Sequence, residues 1–382
     1  MGESLIMGTA RAEVVVDLAA IRHNVRLLKG LTGTPMMTVV KADGYGHGLV
    51  ESARAARDVG AEWLGVATLD EALALRAAGD TGPVLCWLTV PGEDYAAAVA
   101  ADLDVTVYSE AELDEVVAGA GTGTARVQIK LDTGLSRGGA PRDAWPALFH
   151  KAALLERRRR IRVTGVWSHF ACSDEPDHPA NDAQEAAFHD GLALATKAGL
   201  EPEVRHLANS AAAILRPSSR LDLVRCGIAS YGLDPAPGVT PQLRLVPAMT
   251  ARADLALVKH VEAGTSVSYG HTWTAGHATT LGLVPVGYAD GLPRSGSNRA
   301  EVGVGGRRRP IRGRICMDQL VVDLEGNDPG AGADAVIFGP GTHGEPTAQD
   351  WAEACGTISY EIVTRIGGRF RRRHVDSERS AP

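Results

Sequence analysis

The sequence predicts an α/β chain: a TIM (β/α)8 barrel over residues 13–245, then a mostly β C-terminal domain over 246–382 that the N-terminal residues 1–12 join. Three observations carry this. Short β-rich apolar runs alternate with longer helical patterns from about residue 17, eight such runs can be counted, and the texture changes after about residue 245. Alternating strands and helices signal βαβ units and a parallel sheet, and eight strands with crossovers make a barrel.

The elements follow in order. AEVVVD reads as a strand that can pair with either domain. Asp17 is a candidate N-cap for AAIRHNVRLLKG, where Ile21, Val25 and Leu28 recur at helical spacing and Gly30 suits the C′ position. Candidate barrel strands are TVVKA (38–42), WLGVA (63–67), PVLCWL (83–88), DVTVY (104–108), RVQIKLD (126–132), RVTGVWSHF (162–170), VRHLA (204–208) and LVRCGI (223–228). Helical stretches such as LDEALALRAAG and ALFHKAALLE are long enough for right-handed crossovers. Beyond residue 245, ADLALVKHV, TTLGLVPVG, RRPIRGRICMDQLVVDL and DAVIFG are β-rich runs separated by glycine and proline.

Composition narrows the function classes. With 45% hydrophobic and 22% charged residues the chain can bury a sizeable core. A formal charge of −7 argues against nucleic acid as the main partner. The basic runs Arg157–Arg160, Arg307–Arg309 and Arg371–Arg373 are short and widely separated, as solvated faces or inter-element ion pairs would be. The five cysteines lack C-x-x-C spacing and fit neither a disulfide framework nor a zinc site, so a reducing, cytoplasmic setting and no metal are expected. The N-terminus has no apolar export segment, and no run approaches the roughly 20 apolar residues of a membrane span.

Barrel enzymes place their chemistry at the C-terminal ends of strands. There the first strand runs into Lys41, followed by Gly44, Gly46 and Gly48. An ammonium at the edge of an apolar barrel is desolvated, which frees some amine to react with a carbonyl and makes Lys41 a Schiff-base candidate; a lysine snorkelling to solvent is the plainer alternative. The fifth strand delivers Lys130 and Asp132 and then Arg137, the sixth His169, the seventh Asn209 and Ser210, and the eighth Arg225, Gly227 and Ile228. Ser210 lies at or near a helix cap, and Gly227 allows close approach of backbone amides, as at the phosphate site that recurs after the last two strands of this fold.

VVKADGYGHG, KLDTGLSRGG, HLANSA, VRCGIASYG, SYGHTW, VGYADG, RICMDQ and SYEIVTRI, in that order, resemble the motifs of the alanine racemase family over nearly the whole chain. The resemblance implies pyridoxal 5'-phosphate bound through Lys41, in a homodimer whose barrel mouth is closed by the partner's β domain. It further implies that Tyr45, Ser210, Gly227, Ile228 and Tyr360 hold the phosphate, that Asn209 belongs to the cofactor site, that Arg225 faces the pyridine nitrogen, and that His169 lies beside the ring. From the partner subunit, Tyr269 would be the second base, and Met317 and Asp318 would bind substrate near Arg137. Lys130 matches a lysine that can be carbamylated to orient Arg137; pairing with Asp132 is the alternative.

Racemisation removes an α-proton on one face and returns one on the other, so two bases suit it better than one. A phenol is a poor base at neutral pH, and the His169–Arg225 pair is a candidate for favouring the phenolate of Tyr269. The expected reaction is interconversion of L- and D-alanine, supplying peptidoglycan. A decarboxylase of similar design, a barrel-only cofactor-binding protein and a serine or broad-specificity racemase are the rival readings. SYGHTW and RICMDQ weigh against the barrel-only reading, and pocket shape alone separates the racemases.

Overall fold

The structure is a computed structural model that describes residues 11–241 and 243–377. The chain divides into two compact units, one of Ile21–Leu245 and one formed by the residues before Ile21 together with those from Val246. Strand β1 (Ala12–Asp17) pairs antiparallel with β10 (Met249–Asp254) and parallel with β19 (Arg371–Val375), so it belongs with the C-terminal strands and the barrel does not begin at residue 13. The alternating pattern Ala12, Val14, Val16 buries one face of β1, as a half-covered sheet requires. Of the expected N-terminal piece 1–12, residues 1–10 lie outside the described residues.

A helix over Leu18–Thr32 follows, with Asp17 Oδ1 accepting from Ala19 N at 3.0 Å. It runs past Gly30: Gly33, at φ +61°, takes the left-handed position that ends it, its N–H bonded to Lys29 O at 2.9 Å.

The barrel strands are β2 (Met36–Val39), β3 (Trp63–Val66), β4 (Val84–Cys86), β5 (Asp104–Val107), β6 (Ala125–Lys130), β7 (Ile161–Trp167), β8 (Val204–His206) and β9 (Val224–Cys226). All neighbours are parallel, in the order β8-β7-β6-β5-β4-β3-β2-β9. The seam between β8 and β9 is stitched by Asp222 N to Arg205 O (3.2 Å) and Arg225 N to Ala208 O (3.0 Å). Most of these strands are buried on both faces, which is why they read as continuous apolar runs rather than alternating ones. Met37, Trp63, Leu85, Trp167 and Leu223 form one cluster of the core. Several strands stop short of their sequence limits, β2 at Val39, before Lys41, because the backbone turns left-handed there.

In the other unit, a six-stranded sheet has the order β16-β15-β18-β10-β1-β19, with β15 (Glu301–Val304), β16 (Arg307–Pro310) and β18 (Asp334–Phe338). Two smaller sheets join β11 (Leu257–Val261), β14 (Thr279–Val284) and β17 (Leu320–Asp323), and β12 (Ser266–Val267) with β13 (Trp273–Thr274). A helix over Ala348–Cys355, capped by Thr347 and Asp350, buries Trp351, whose indole N–H donates to Ile337 O at 2.7 Å. Two of the basic runs are therefore the edge strands β16 and β19, where Arg309 pairs with Glu325 and Arg373 with Glu13. Among the described residues no helix is long and apolar enough to cross a membrane.

Candidate active site

Lys41 follows β2 and opens a turn of unusual handedness. Ala42, Asp43 and Tyr45 have φ of 52°, 53° and 54°, with Gly44 and Gly46 also positive. Left-handed backbone costs a residue with a Cβ about 1–2 kcal/mol, so the turn persists only where its surroundings hold it. Gly44 N donates to Val40 O (2.8 Å), Gly46 N to Ala42 O (3.0 Å), Gly48 N to Asp43 O (2.8 Å) and Leu49 N to Asp43 Oδ1 (2.8 Å). At Gly44 a side chain would also strike Ser52 Oγ, 2.8 Å from where a Cβ would stand. Lys41 Nζ lies 5.9 Å from the centre of the Trp87 ring. Burial lowers its pKa, the Arg137 charge lowers it further, and Glu71 opposes both.

The strand ends converge on a buried cationic cluster. Arg225, 4% exposed, donates to Ser168 O (2.8 Å) and Leu207 O (3.1 Å) and meets His169 Nδ1 and His206 Nδ1, both at 3.0 Å. Burial pushes the guanidinium down to about 9, so it stays charged at neutral pH and acts only as a donor. Both histidines are held well below 6.5, by burial first and then by Arg225, so each is a neutral ring whose Nδ1 accepts. His206 then has its proton on Nε2, 2.7 Å from Gln128 Oε1, and stacks on Trp167 at 5.5 Å. Unlike Arg225 and His169, His206 is not among the residues expected from the sequence, although it is the histidine that opens HLANSA at a strand end.

Lys130 is 7% exposed, with Nζ 4.6 Å from the Trp167 ring centre. Burial, then the charges of Arg225 and Arg137, bring it down to about 8. The expected alternative partner, Asp132, is turned to its own loop, where Oδ1 accepts from Gly134 N and Ser136 N at 3.0 Å. Arg137 is exposed, and its charge reaches Lys41, Lys130 and His169.

After β8, Asn209 rather than Ser210 caps the helix Ser210–Leu215, its Oδ1 accepting from Ala212 N (3.0 Å) and Ser173 Oγ (2.9 Å). That frees Ser210 Oγ to accept from Gly227 N at 2.9 Å. A Cβ on Gly227 would stand 2.3 Å from Tyr45 Oη, so only glycine leaves the phenol its place. Tyr45, Ser210, Gly227 and the buried Ile228 thus meet in one polar cradle.

The remaining predicted residues belong to the other unit. Tyr269 is 71% exposed on a short turn after Ser268, whose φ is +63° and whose Oγ donates to Arg314 O at 2.6 Å. Met317 is 52% exposed, and Asp318 accepts from Arg369 Nη1 at 2.6 Å. Arg369 also clamps the buried Asp290 with Nε and Nη2, each at 2.7 Å, and holds its carboxyl below the usual range. At Gly287 a Cβ would lie 2.2 Å from Cys316 O, so the VGYADG and RICMDQ segments press backbone to backbone. Tyr360 sits half-buried on the helix Ser359–Arg365.

A family model described as "Alanine racemase, N-terminal domain" matches residues 16–235, and one described as "Alanine racemase, C-terminal domain" matches 248–374. An alanine racemase of Salinispora arenicola (strain CNS-205) is 55% identical over 372 residues, 97% of this chain and 99% of that protein. The crystal structure of alanine racemase from D-cycloserine-producing Streptomyces lavendulae is similar with a TM-score of 0.95 and 51% identity, covering 96% of this chain and 98% of that one. Alanine racemase from Streptomyces coelicolor A3(2) gives a TM-score of 0.94 and 52% identity over the same shares.

Proposed function

The chain belongs to the alanine racemase family, and from that premise we propose that it interconverts L- and D-alanine with pyridoxal 5'-phosphate at the barrel mouth. Lys41 and the partner subunit's Tyr269 serve as its two bases. The observation that carries this reading is Lys41, a lysine at a strand end whose pKa is lowered by burial and by Arg137. The amine form this favours is the one that joins a carbonyl and accepts a proton.

The residues present fit the cofactor. The cradle that a Cβ at Gly227 would fill offers Tyr45 Oη, Ser210 Oγ and backbone amides to a phosphate. When bound, the cofactor supplies a conjugated ring that takes up the negative charge left by proton loss from Cα. Arg225, a donor at neutral pH, would face the ring nitrogen and keep it unprotonated. That restrains the ring as an electron sink and favours return of the proton to the substrate over transamination. His169 flanks this guanidinium as a neutral acceptor.

Lys41 Nζ holds the proton on one side of Cα, and the phenolic oxygen of Tyr269 of the partner subunit holds it on the other. The exposure of Tyr269, Met317 and Tyr288 on one unit supports a homodimer in which a second copy covers them. Arg137 binds the substrate carboxylate, with Met317 and Asp318 of the partner subunit alongside. Lys130, near pKa 8, feels the charge of Asp132 while that carboxylate accepts from Gly134 and Ser136, and it suits carbamylation: its neutral amine adds carbon dioxide, releases a proton and becomes an anion able to orient Arg137. D-Alanine made in the cytoplasm would feed peptidoglycan.

An absorbance spectrum of purified protein, followed by loss of optical rotation from L-alanine, tests the reading. A band near the visible edge and racemisation, both lost in Lys41→Ala, are expected. A protein that stays colourless after added cofactor overturns it, and a coloured protein without racemisation overturns the substrate.

A further inference from the structure

Glu71 is the third residue of the helix Leu69–Ala77, where a glutamate's ordinary work is a capping box with Thr68. That box is present: Thr68 Oγ accepts from Glu71 N (3.3 Å) and Glu71 Oε2 accepts from Thr68 N (3.2 Å). The carboxylate reaches two further amides. Oε2 accepts from Ala67 N at 2.8 Å, at the end of β3, and Oε1 accepts from Ala42 N at 2.7 Å, beyond the end of the neighbouring β2.

Ala42 is the residue after Lys41 and the first of the left-handed run. Its N–H donates to Glu71 Oε1 and not to a carbonyl of the turn. The amides of Gly44, Gly46 and Gly48 donate to carbonyls of the turn itself, Val40 N at its start donates to Gly65 O of β3, and Glu71 ties the residue after the lysine to the end of β3 and the helix beyond it. We propose that Glu71 is a positioning residue for Lys41: its carboxylate anchors the peptide that follows the lysine to β3, and so sets where Nζ stands at the barrel mouth.

Charge points the same way. The cation bearing on Lys41 from the other strand ends is Arg137, and the charge of Lys41 in turn bears on Lys130 and His169, while the Asp43 carboxylate accepts from Leu49 N. Glu71 is the acid that counters the Arg137 charge at Lys41. The inference rests on the reading of Lys41 as a proton carrier.

The test uses the full-length protein, freed of cofactor, and follows the reaction of Lys41 with an amine-acylating reagent by mass spectrometry across pH. Steady-state racemisation of the cofactor-loaded protein runs in parallel. Glu71→Gln should move the Lys41 labelling midpoint down by roughly half a pH unit or more, because an opposing charge is gone. It should also lower kcat on the order of 10- to 100-fold with little change in KM, as a misplaced catalytic group does. Glu71→Asp keeps the charge and loses the reach, so its midpoint should stay while kcat falls. Thr68→Ala, which breaks the helix cap alone, should leave the midpoint in place. A Glu71→Gln midpoint equal to that of the unmodified chain, a fully active Glu71→Asp, or an equal shift in Thr68→Ala would each overturn the proposal. Absent racemisation by the unmodified chain would sink the functional reading instead, and the labelling midpoints would still decide this one.

Discussion

Arg225 and Tyr269 stand at opposite extremes of order. Arg225 is 4% exposed and meets two carbonyls and two imidazoles within 3.1 Å, whereas Tyr269 stands 71% exposed on a short turn. The barrel thus holds its polar cluster already assembled, with protonation states set by burial. The other unit fixes its backbone firmly, through Arg369, Asp290 and the Gly287 contact, yet leaves Tyr269 and Met317 facing outward. Exposed side chains on firmly held backbone suit a surface that another copy covers, as proposed above, since ordering costs are met before association.

The strongest way to break this comparison is to remove each proposed base. Lys41→Ala and Tyr269→Phe should each lower racemisation by about 10²–10⁴-fold, and only Lys41→Ala should lose the visible band. Mixing the two inactive variants should restore about one quarter of the activity if subunits pair at random and share sites. No rescue, with subunit exchange demonstrated by native mass spectrometry, would place both bases in one chain.

Arg225→Glu comes next. Reversing this buried charge should raise the transamination product relative to racemisation, read as pyruvate formed per D-alanine. An unchanged ratio would remove Arg225 from control of the ring. His206→Phe keeps the ring stacked on Trp167 but leaves a buried Arg225 donor without its acceptor, and should cost about 1–3 kcal/mol in denaturant unfolding. Tyr269→Phe, by contrast, should change stability little, because its side chain is exposed.

The smallest effect concerns Lys130. Its folded pKa, about 8, lies below the ordinary value of 10.5, so the unfolded chain binds the extra proton between those limits. Stability should therefore rise with pH across that window, and the penalty should be fully present below it. Lys130→Met should flatten the slope of unfolding free energy between pH 8 and 10.5 relative to the unmodified chain. A slope equal in both would reassign the titration.

What the sequence disclosed was local or motif-bound. Lys41, His169, Arg225 and Gly227 stand directly at or after apolar strands, so their spacing alone put them at one end of a barrel. The strands were legible because burial on both faces leaves continuous apolar runs, and the start of the first helix because Asp17 stands just ahead of it, where its Oδ1 accepts from Ala19 N. What escaped depends on non-local register or on backbone handedness. Nothing local says that β1 pairs with strands 230 and more residues away, that His206 meets Arg225 across the β8–β9 seam, or that Asn209 and not Ser210 is the cap. The left-handed run at Ala42 is hidden for another reason: alanine and tyrosine disfavour it, aspartate tolerates it only through a local bond such as that from Leu49 N, and the surrounding bonds hold it.

The two arginine-rich strands at either margin of the six-stranded sheet have a consequence for self-association. A free strand edge is a template on which another chain can add, and such growth has no natural stopping point. Here any strand approaching β16 meets Arg307 and Arg308, and one approaching β19 meets Arg371, Arg372 and Arg373, all exposed. Lateral growth would stack like charges side by side, so fibre-like extension is discouraged at both ends and assembly is steered toward contacts that close on themselves.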